Sequence, residues 1–483
     1  MSFPEVTAAN VAEVLHNDRM VIAGVDVDGQ LRGKLMKKSK FLSIATGGFG
    51  FCSIIFGWDQ QDTGYPKELA ICNEENGYRD LIAVPDLSSF RRIRWENKVP
   101  FFLLSFLDPD TQEPVCACPR GLLKNATAKV EAAGHFAMAE NMFDGNRPSS
   151  SEYEFGHFRI PGDSFSPERA ASGITSFIQN NSVDSLPSLT EGMFGYSMTR
   201  SLHSENYHDG ILDACEQFRC NIEEWRAKSG PGAFEATLQC SEAKDMADKA
   251  SLCKYVVKAY GIKHGITPCF MAKPRHELPG NGGHMNISLI TADGKSAFTR
   301  DTPDPSPPYP DVAHLSDLGR QFLTGLLVGL PDIMPLFAPT INSYKRLVED
   351  LWAPNTVSWG LEHRAAFIRL ITPPTANANA TRFEIRVPGA DANPHFVFAA
   401  IIALGWRGVE KKLEIPVPPL PKGEDMSSSS DKSMPLAKAL KEAVATFTRL
   451  DSVAREVFGD SFVEHFGGTR EYKIQLWEQA VTD

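Results

Sequence analysis

Residues 381–405 of this 483-residue chain read TRFEIRVPGADANPHFVFAAIIALG. The first part alternates as a β-strand does, so Glu384 and Arg386 share a face, because strand side chains alternate with period 2. The second part, 395–406, is an apolar run that begins just after Pro394, a residue that helices accept in their first turn. The stretch therefore predicts a strand with charged side chains followed by a buried helix.

Three further stretches carry side chains suited to cations or anions: 152–154 (EYE), 230–235 (GPGAFE) and 280–284 (GNGGH). On a strand, Glu152 and Glu154 would lie on one face, and a cation is the usual reason to hold two carboxylates together. Arginines nearby suggest a phosphate or carboxylate beside that cation. A Glu-x-Glu strand alone is by default a solvated polar face. The four stretches together indicate a site.

The composition is that of a soluble globular protein, with 42% hydrophobic and 23% charged residues. The formal net charge is −11, and no basic stripe is present, so nucleic acid is not expected as a partner. The basic run at 34–40 (KLMKKSK) is interpreted as a solvated surface segment.

Several features argue against membranes and secretion. No segment approaches the roughly 18 uninterrupted apolar residues of a membrane span, so no membrane partner is expected. The N-terminus lacks a charged region followed by an apolar run, which argues against a signal peptide. The nine cysteines are scattered without zinc spacing and are predicted to be reduced thiols. These features favour a cytoplasmic location.

The coarse pattern divides the chain near residue 115. A helix is predicted over 1–20, and a hairpin over 21–34 turns at Asp28-Gly29. Further strands are predicted at 49–59 and 98–108. Helices are predicted over 122–133, 165–177, 204–225, 241–264, 317–330 and 393–412, followed by a linker at 415–432 and two C-terminal helices.

Three motifs, TINSYKRL (340–347), VSWGLEHRAAFIRL (357–370) and the stretch 381–405, occur in one order. With them the chain resembles the glutamine synthetase family, in particular the fungal branch related to the FluG C-terminal domain. The resemblance implies an α+β fold with a small N-terminal β-grasp-like domain and its leading helix over 1–115. The catalytic domain over 116–483 would hold a curved antiparallel sheet flanked by helices. It also implies ring-shaped homo-oligomers, from octamer to dodecamer, with active sites between subunits.

The resemblance further implies roles for single residues. The metal ligands for Mg²⁺ or Mn²⁺ would be Glu152, Glu154, Glu235, His284 and Glu384. Substrate-binding residues would be Arg346, which holds the glutamate carboxylate, Asn281 and Gly282 in the glycine-rich loop, and Asp59, which would reach into a neighbour's site. The residues facing the reacting groups would be Arg364, Arg369 and Arg386.

Four departures from the family pattern bear on the chemistry. Lys228 stands where the family has a glutamate ligand; it would replace the metal as a fixed charge, destroy the site, or lie in solvent after a small misalignment. Asn286 replaces a second histidine. Trp352 replaces the glutamate that binds ammonium, and an indole cannot act as a base, although it packs well against an organic amine and equally well in a core. A polar insertion at 139–151 precedes the first glutamate pair.

These features predict an ATP-dependent carboxylate–amine ligase. The enzyme would join the γ-carboxylate of glutamate, through an acyl phosphate, to ammonia or, in preference, to an organic amine. The substrates would be glutamate or a related acid, an amine and ATP. The alternative is a catalytically impaired pseudo-enzyme that acts as an oligomeric scaffold or signalling protein, which Lys228, Asn286 and Trp352 favour.

Overall fold

The computed structural model describes residues 5–65, 69–139, 151–159, 177, 179–182, 185–347, 356–372, 380–421 and 434–480. Two sheets dominate this part of the chain. The first has five strands in the order β2-β1-β5-β4-β3: β1 (Arg19–Val25), β2 (Leu31–Lys37), β3 (Phe49–Cys52), β4 (Asp80–Ile93) and β5 (Val99–Leu107). Strands β1 and β5 are parallel and the other pairs antiparallel, which is the mixed sheet expected of a β-grasp-like unit.

The larger sheet has nine strands: β6 (His135–Met138), β7 (Glu152–Arg159), β8 (Ile222–Ala227), β9 (Ala233–Leu238), β10 (Ile266–Cys269), β11 (Gly283–Thr291), β13 (Trp359–Leu361), β14 (Ile368–Ile371) and β15 (Arg382–Ile385). Its path is β13-β14-β15-β11-β7-β9-β8, with β10 on β7 and β6 on β11. All pairs are antiparallel except β13–β14. Two short strands, β12 (Thr356–Val357) and β16 (Met434–Pro435), pair separately.

Helices flank these sheets, which confirms the predicted α+β class. They span Val11–Val14, Lys38–Ile44, Pro119–Ala132, Met198–Leu202, Glu205–Gln217, Ala243–His264, Asp317–Phe337, Ile341–Tyr344, Pro394–Glu410, Leu440–Thr448, Val453–Phe458 and Asp460–Gln479. The helix that follows β15 crosses the helix Asp317–Phe337 at very close range. A Cβ atom on Gly325 would lie 2.1 Å from the Leu404 carbonyl oxygen. This close approach leaves no room for a side chain at position 325 between the two helices.

Several local predictions are confirmed. The hairpin turns at Asp28-Gly29, where Gly29 has a φ of 78° and Asp26 accepts hydrogen bonds from the Asp28 and Gln30 amides. The helix Ala243–His264 ends at Gly265, which is left-handed. Asn393 caps the helix Pro394–Glu410 by accepting a hydrogen bond from the His395 amide. The nine cysteines are free thiols.

Other predictions were wrong. Within the described residues, the helix expected over 1–20 is only the turn Val11–Val14, because Arg19 already begins β1, which pairs with a strand about eighty residues away. The strand expected over 49–59 ends at Cys52, and a short 3₁₀ helix follows it over Ser53–Phe56. The helix expected over 204–225 ends at Gln217, since Arg219 adopts a φ of 58° and turns the chain into β8.

Two more boundaries differ. The helix predicted to stop before Pro331 continues to Phe337 with two prolines inside it, because its face is buried along most of its length and packing overrides local preference. Three C-terminal helices stand where two were predicted. Most of the predicted helix 165–177, the insertion 140–150 and most of the linker 415–432 lie outside the described residues. In the described ranges, no helix combines the length and apolarity needed to cross a membrane.

A buried charge cluster joins the turn of the N-terminal hairpin to the C-terminal helix. The Asp28 carboxylate lies 2.7 Å from both the Arg470 guanidinium and the Lys473 ammonium. Arg470 is fully buried. The Lys473 side chain is 16% exposed. A carboxylate that serves one buried and one largely buried cation contributes far more than an exposed pair, because its loss leaves uncompensated charge.

We therefore expect Asp28→Asn to lower the free energy of unfolding by about 3–5 kcal/mol, since the buried Arg470 and the largely buried Lys473 lose their counter-charge. Chemical denaturation followed by tryptophan fluorescence measures this change. The matched control is Asp62→Asn, whose side chain is 56% exposed and pairs with Arg32; it should cost about 0–1 kcal/mol. Equal effects of the two substitutions would contradict the assignment.

Candidate active site

The register of the large sheet brings the five predicted metal ligands onto one face. Glu154 lies opposite Glu235 across β7 and β9, and Glu152 lies opposite His284 across β7 and β11. Directly opposed residues share a face, as do residues two apart on a strand. By the same rule, Glu384 faces the same side from β15, since it opposes Asn286, two residues after His284.

Glu152, His284 and Glu384 form a candidate metal site, here called the ligand trio. Their ligand atoms all lie within 4.8 Å of one another. The His284 Nδ1 is 3.5 Å from a carboxylate oxygen of each glutamate, and it is buried without a hydrogen-bond partner in the described part of the chain. A ring nitrogen without a partner between two carboxylates fits a divalent cation such as Mg²⁺ or Mn²⁺.

Glu154 and Glu235, both predicted as metal ligands, meet a lysine instead. The Lys228 ammonium lies 2.6 Å from a Glu154 oxygen and 2.8 Å from a Glu235 oxygen. Burial favours the neutral amine, but these two carboxylates outweigh it and raise the pKa of Lys228. Burial would likewise raise the pKa of Glu154, yet Lys228 and its neighbours hold that pKa below its usual value. Both groups therefore stay charged.

This geometry favours the alternative in which Lys228 is a fixed positive charge in place of a metal ion. The side chain is 33% exposed, so it does not lie in solvent. Its ammonium is within hydrogen-bond distance of both carboxylates, where an ion bound by them would sit. Arg226, two residues earlier on the same strand face, also donates a hydrogen bond to Glu235.

The charged residues described so far form a line across this face of the sheet, here called the charged row, or the row. Arginines lie at the end of the row that carries Glu384. The Arg386 guanidinium lies 2.5 Å from Glu384. Arg369 contacts Glu384 at 3.1 Å and Glu362 at 2.5 Å. The Nε groups of Arg369 and Arg386 are buried without a hydrogen-bond partner among the described residues. Each arginine thus retains a donor directed to no protein acceptor, beside the ligand trio.

Arg346 and the glycine-rich loop hold each other in place. The buried Arg346 guanidinium donates to the carbonyls of Val387 at 2.8 Å and Arg386 at 3.1 Å. Gly282 donates its amide to Glu154 at 2.6 Å. A Cβ atom on Gly282 would lie 2.9 Å from the Arg346 Nη2 and 2.7 Å from the His284 Nε2. Glycine is therefore required where the loop passes between these side chains.

The remaining predicted residues are not brought to the row. The Asn281 amide nitrogen donates to the Cys269 and Met271 carbonyls and so holds the loop. Arg364 is exposed on the turn before β14. The Asp59 carboxylate accepts hydrogen bonds from two amides of its own loop, and its predicted reach into a neighbour's site stays a prediction. Trp352 lies outside the described residues.

Two charged residues, Arg226 and Glu362, and a group of exposed apolar side chains were not among the predicted site residues. Arg226 could have been found from its period-2 spacing to Lys228, whereas Glu362 had no signal. Tyr196 lies with its ring 5.2 Å from the Arg226 guanidinium. Phe194 and Met198, two residues before and after Tyr196, have exposed side chains, and the Phe194 ring lies 5.0 Å from the Arg200 guanidinium. These three residues are here called the aromatic rim.

Comparisons with known proteins cover nearly the whole chain. Residues 116–483 match the family model described as glutamine synthetase, catalytic domain. The chain is 37% identical over 465 residues to type-1 glutamine synthetase 2 of Dictyostelium discoideum, covering 95% of this chain and 81% of that protein. It is 31% identical over 465 residues to the glutamate–isopropylamine ligase of a Pseudomonas species, covering 96% and 92% respectively.

A solved structure of a GmaS complex with ADP shares the fold. It superposes with a TM-score of 0.75 at 22% identity, covering 99% of this chain and 98% of that one. Similarity of this extent confirms the predicted architecture of the described residues.

If Lys228 replaces a cation, the wild-type protein should bind one Mn²⁺ per chain, at the ligand trio. The substitution Lys228→Glu places three carboxylates together and should raise the stoichiometry to two, because oxygen-rich clusters bind such ions. Equilibrium dialysis with elemental analysis, or anomalous scattering from crystals, measures the count. Lys295→Glu, at a side chain that is 76% exposed, is the charge-matched control and should still bind one. An unchanged count in Lys228→Glu would refute the replacement.

Proposed function

Because the chain belongs to the glutamine synthetase family, we propose that it is an ATP-dependent ligase that joins the γ-carboxylate of glutamate to an amine. The observation that carries the proposal is the ligand trio beside Arg369 and Arg386 on one face of the large sheet. The Pseudomonas relative, named for glutamate and isopropylamine, supports glutamate as the acid and an organic amine as acceptor.

The site chemistry fits this reaction. A carboxylate is a poor acyl donor because its leaving group would be oxide. Transfer of the γ-phosphoryl group of ATP to the carboxylate gives ADP and an acyl phosphate. The amine nitrogen then attacks the carbonyl carbon, the C–O bond to phosphate breaks, and the nitrogen loses a proton, giving an amide and phosphate.

The charged residues divide this work. A divalent ion held by Glu152, His284 and Glu384 would supply positive charge to the phosphate oxygens during transfer. Arg369 and Arg386, each with a free Nε donor among the described residues, would bind the same developing negative charge. Arg346, as the family resemblance implies, would position the amino acid carboxylate. Its place beside Gly282 supports that role.

Lys228 would act as a fixed positive charge in place of the ion bound by Glu154 and Glu235. The short contacts to both carboxylates support this role. A lysine keeps Glu154 ionised, and Glu154 in turn binds the Gly282 amide. The loop that borders the substrate site would therefore be held without a second metal.

The aromatic rim supports an organic amine as acceptor. Tyr196 contacts Arg226, and its chain neighbours Phe194 and Met198 are 68% and 85% exposed, so this segment would offer apolar surface beside the charged row. An alkyl or aryl group on the amine would be buried against such a surface, whereas ammonia would gain nothing from it. The predicted role of Trp352 in the same pocket stays a prediction.

The cellular setting is proposed on the family resemblance alone. The enzyme would work in the cytoplasm as a ring-shaped homo-oligomer of eight to twelve subunits, with sites between neighbours. Membership of the fungal branch of the family is likewise proposed on the resemblance alone.

One alternative rests on a specific observation. Lys228 occupies the position of a family ligand, and a pseudo-enzyme that serves as an oligomeric scaffold would tolerate that change. A scaffold, however, has no need for two carboxylates that converge on a buried histidine nitrogen without a hydrogen-bond partner among the described residues, because such groups cost stability.

The direct test is phosphate release with Mg²⁺, ATP and glutamate across a panel of amines. The panel contains ammonia, isopropylamine, ethanolamine, benzylamine and putrescine, with products identified by mass spectrometry. We expect turnover that depends on one organic amine. The variant His284→Ala should lower it by roughly 100-fold or more, since it removes a ligand of the trio. Turnover with ammonia alone would refute the organic acceptor, and no turnover with any amine would favour the scaffold.

The aromatic rim makes a separate prediction. Phe194→Ala should raise the KM for the preferred organic amine by about tenfold, as expected for lost apolar contact in a pocket, and leave the KM for ammonia unchanged. Steady-state kinetics with both amines measure this. Leu450→Ala, at a side chain that is 92% exposed on the C-terminal part, is the control. If both KM values rise together, the rim does not select the amine.

A further inference from the structure

A cavity of about 270 Å³ lies apart from the charged row. It is formed where the helix Ile341–Tyr344, the start of the helix Leu440–Thr448 and the end of the helix Asp460–Gln479 meet. The polar and aromatic residues that line it are Tyr344, Lys345, Lys438, Lys441, Trp477 and Glu478.

The lining carries a surplus of positive charge. Glu478 is the single acidic lining residue, and it pairs with Lys441 at 2.8 Å. Lys345 and Lys438 have no ion pair within the described ranges. The Lys345 ammonium lies 4.9 Å from the centre of the Trp477 ring. The Glu442 carboxylate lies nearby, where it accepts a hydrogen bond from the Lys438 backbone amide. Two lysine ammonium groups without an ion pair among the described residues still favour an anion at this cavity.

Tyr344 supplies an independent sign of a ligand. Its side chain is only 6% exposed, it lines the cavity, and its hydroxyl has no hydrogen-bond partner among the described residues. Buried polar groups in native proteins are nearly always hydrogen-bonded, so an exception needs an explanation. A bound acceptor in the cavity would provide the missing partner.

The apolar part of the lining favours a flat ring. Trp477 is half exposed, and Ile341 and Ile474 stand beside it in the cavity. Aromatic rings stack on such surfaces at offset or edge geometries and gain from burial. The space is too small for a nucleoside triphosphate but suits a single ring with a short acidic arm.

We propose that this cavity binds a small aromatic carboxylate. The ring packs against Trp477, and the carboxylate is held by Lys345, Lys438 and the Tyr344 hydroxyl. This site is distinct from the site of the ligase reaction.

The cavity is connected to the candidate active site through one short segment. Lys345 faces the cavity, and the next residue, Arg346, lies beside the glycine-rich loop. Asp391 fixes the helix Ile341–Tyr344 by accepting hydrogen bonds from Thr340 at 3.1 Å and Ser343 at 2.6 Å. Binding that displaces Lys345 would shift Arg346 as well, because the two residues are adjacent in the chain and follow the fixed helix. This consequence rests on the proposed function, whereas the binding does not.

Binding is measured by isothermal titration calorimetry of the full-length protein, without ATP, with phenylacetate as the probe. Phenylacetamide keeps the ring without the charge, and acetate keeps the charge without the ring. We expect one phenylacetate per chain and affinities at least about tenfold weaker for the other two. Tyr344→Phe and Lys438→Ala should each weaken phenylacetate binding about tenfold, because each removes a hydrogen bond to a charged group. The control Lys295→Ala should bind as the wild type does.

Three outcomes would overturn the site: no saturable phenylacetate binding, equal affinity in the wild type and both cavity variants, or a second copy of the chain found in the cavity in a crystal structure of the oligomer. The effect of cavity binding on the candidate active site is measured separately. Phenylacetate should change the KM for glutamate in the wild type but not in Lys438→Ala, and an unchanged KM would overturn the connection. Because binding is measured without turnover, its failure is separate from a failure of the ligase proposal.

Discussion

Repulsion among glutamates on one sheet face is the constraint on which the candidate site depends. Glu152, Glu154, Glu235 and Glu384 project from three strands onto the same side, and three of them are buried. Buried carboxylates must be paired with cations or give up their charge. Lys228 and Arg226 serve Glu154 and Glu235, while Arg369 and Arg386 serve Glu384. Glu152 and Glu384 converge on a histidine nitrogen, and a divalent ion is the cation that matches that end of the row.

The same alternation that exposes these glutamates to the site also builds the core. On β7, Tyr153 and Phe155 are fully buried on the opposite face. A shift of the register by one residue would bury the glutamates in the apolar core and turn both aromatic rings toward the charged face. Packing on one side of the sheet therefore specifies the geometry of the charges on the other side. The glycine at position 282 depends on this register as well, because Arg346 and His284 leave no room for a side chain there.

Sequence patterns predicted the parts of the molecule that follow from local period and turn chemistry. The pairing of Glu384 with Arg386, the hairpin at Asp28-Gly29 and the helix after Asn393 are of this kind. The helix expected over 1–20 failed because long-range pairing of β1 with β5 decides that segment, and no local signal reports it. The contacts of Asn281 lay beyond such patterns for a related reason: its side-chain amide donates to the carbonyls of residues 269 and 271, which sequence does not show to be adjacent.

Lys228 and Arg226 together supply the positive charge that neutralises Glu154 and Glu235. A divalent ion brings two positive charges, whereas one ammonium brings one, so a lysine alone would leave the Glu154–Glu235 pair partly uncompensated. Arg226 supplies the second charge through its contact with Glu235. An ammonium has three donors and no capacity to accept a ligand's lone pair, and two of those donors are directed to Glu154 and Glu235. The pair of cations therefore restores the charge of an ion without its coordination chemistry, and any coordination of phosphate oxygens would be left to an ion at the ligand trio.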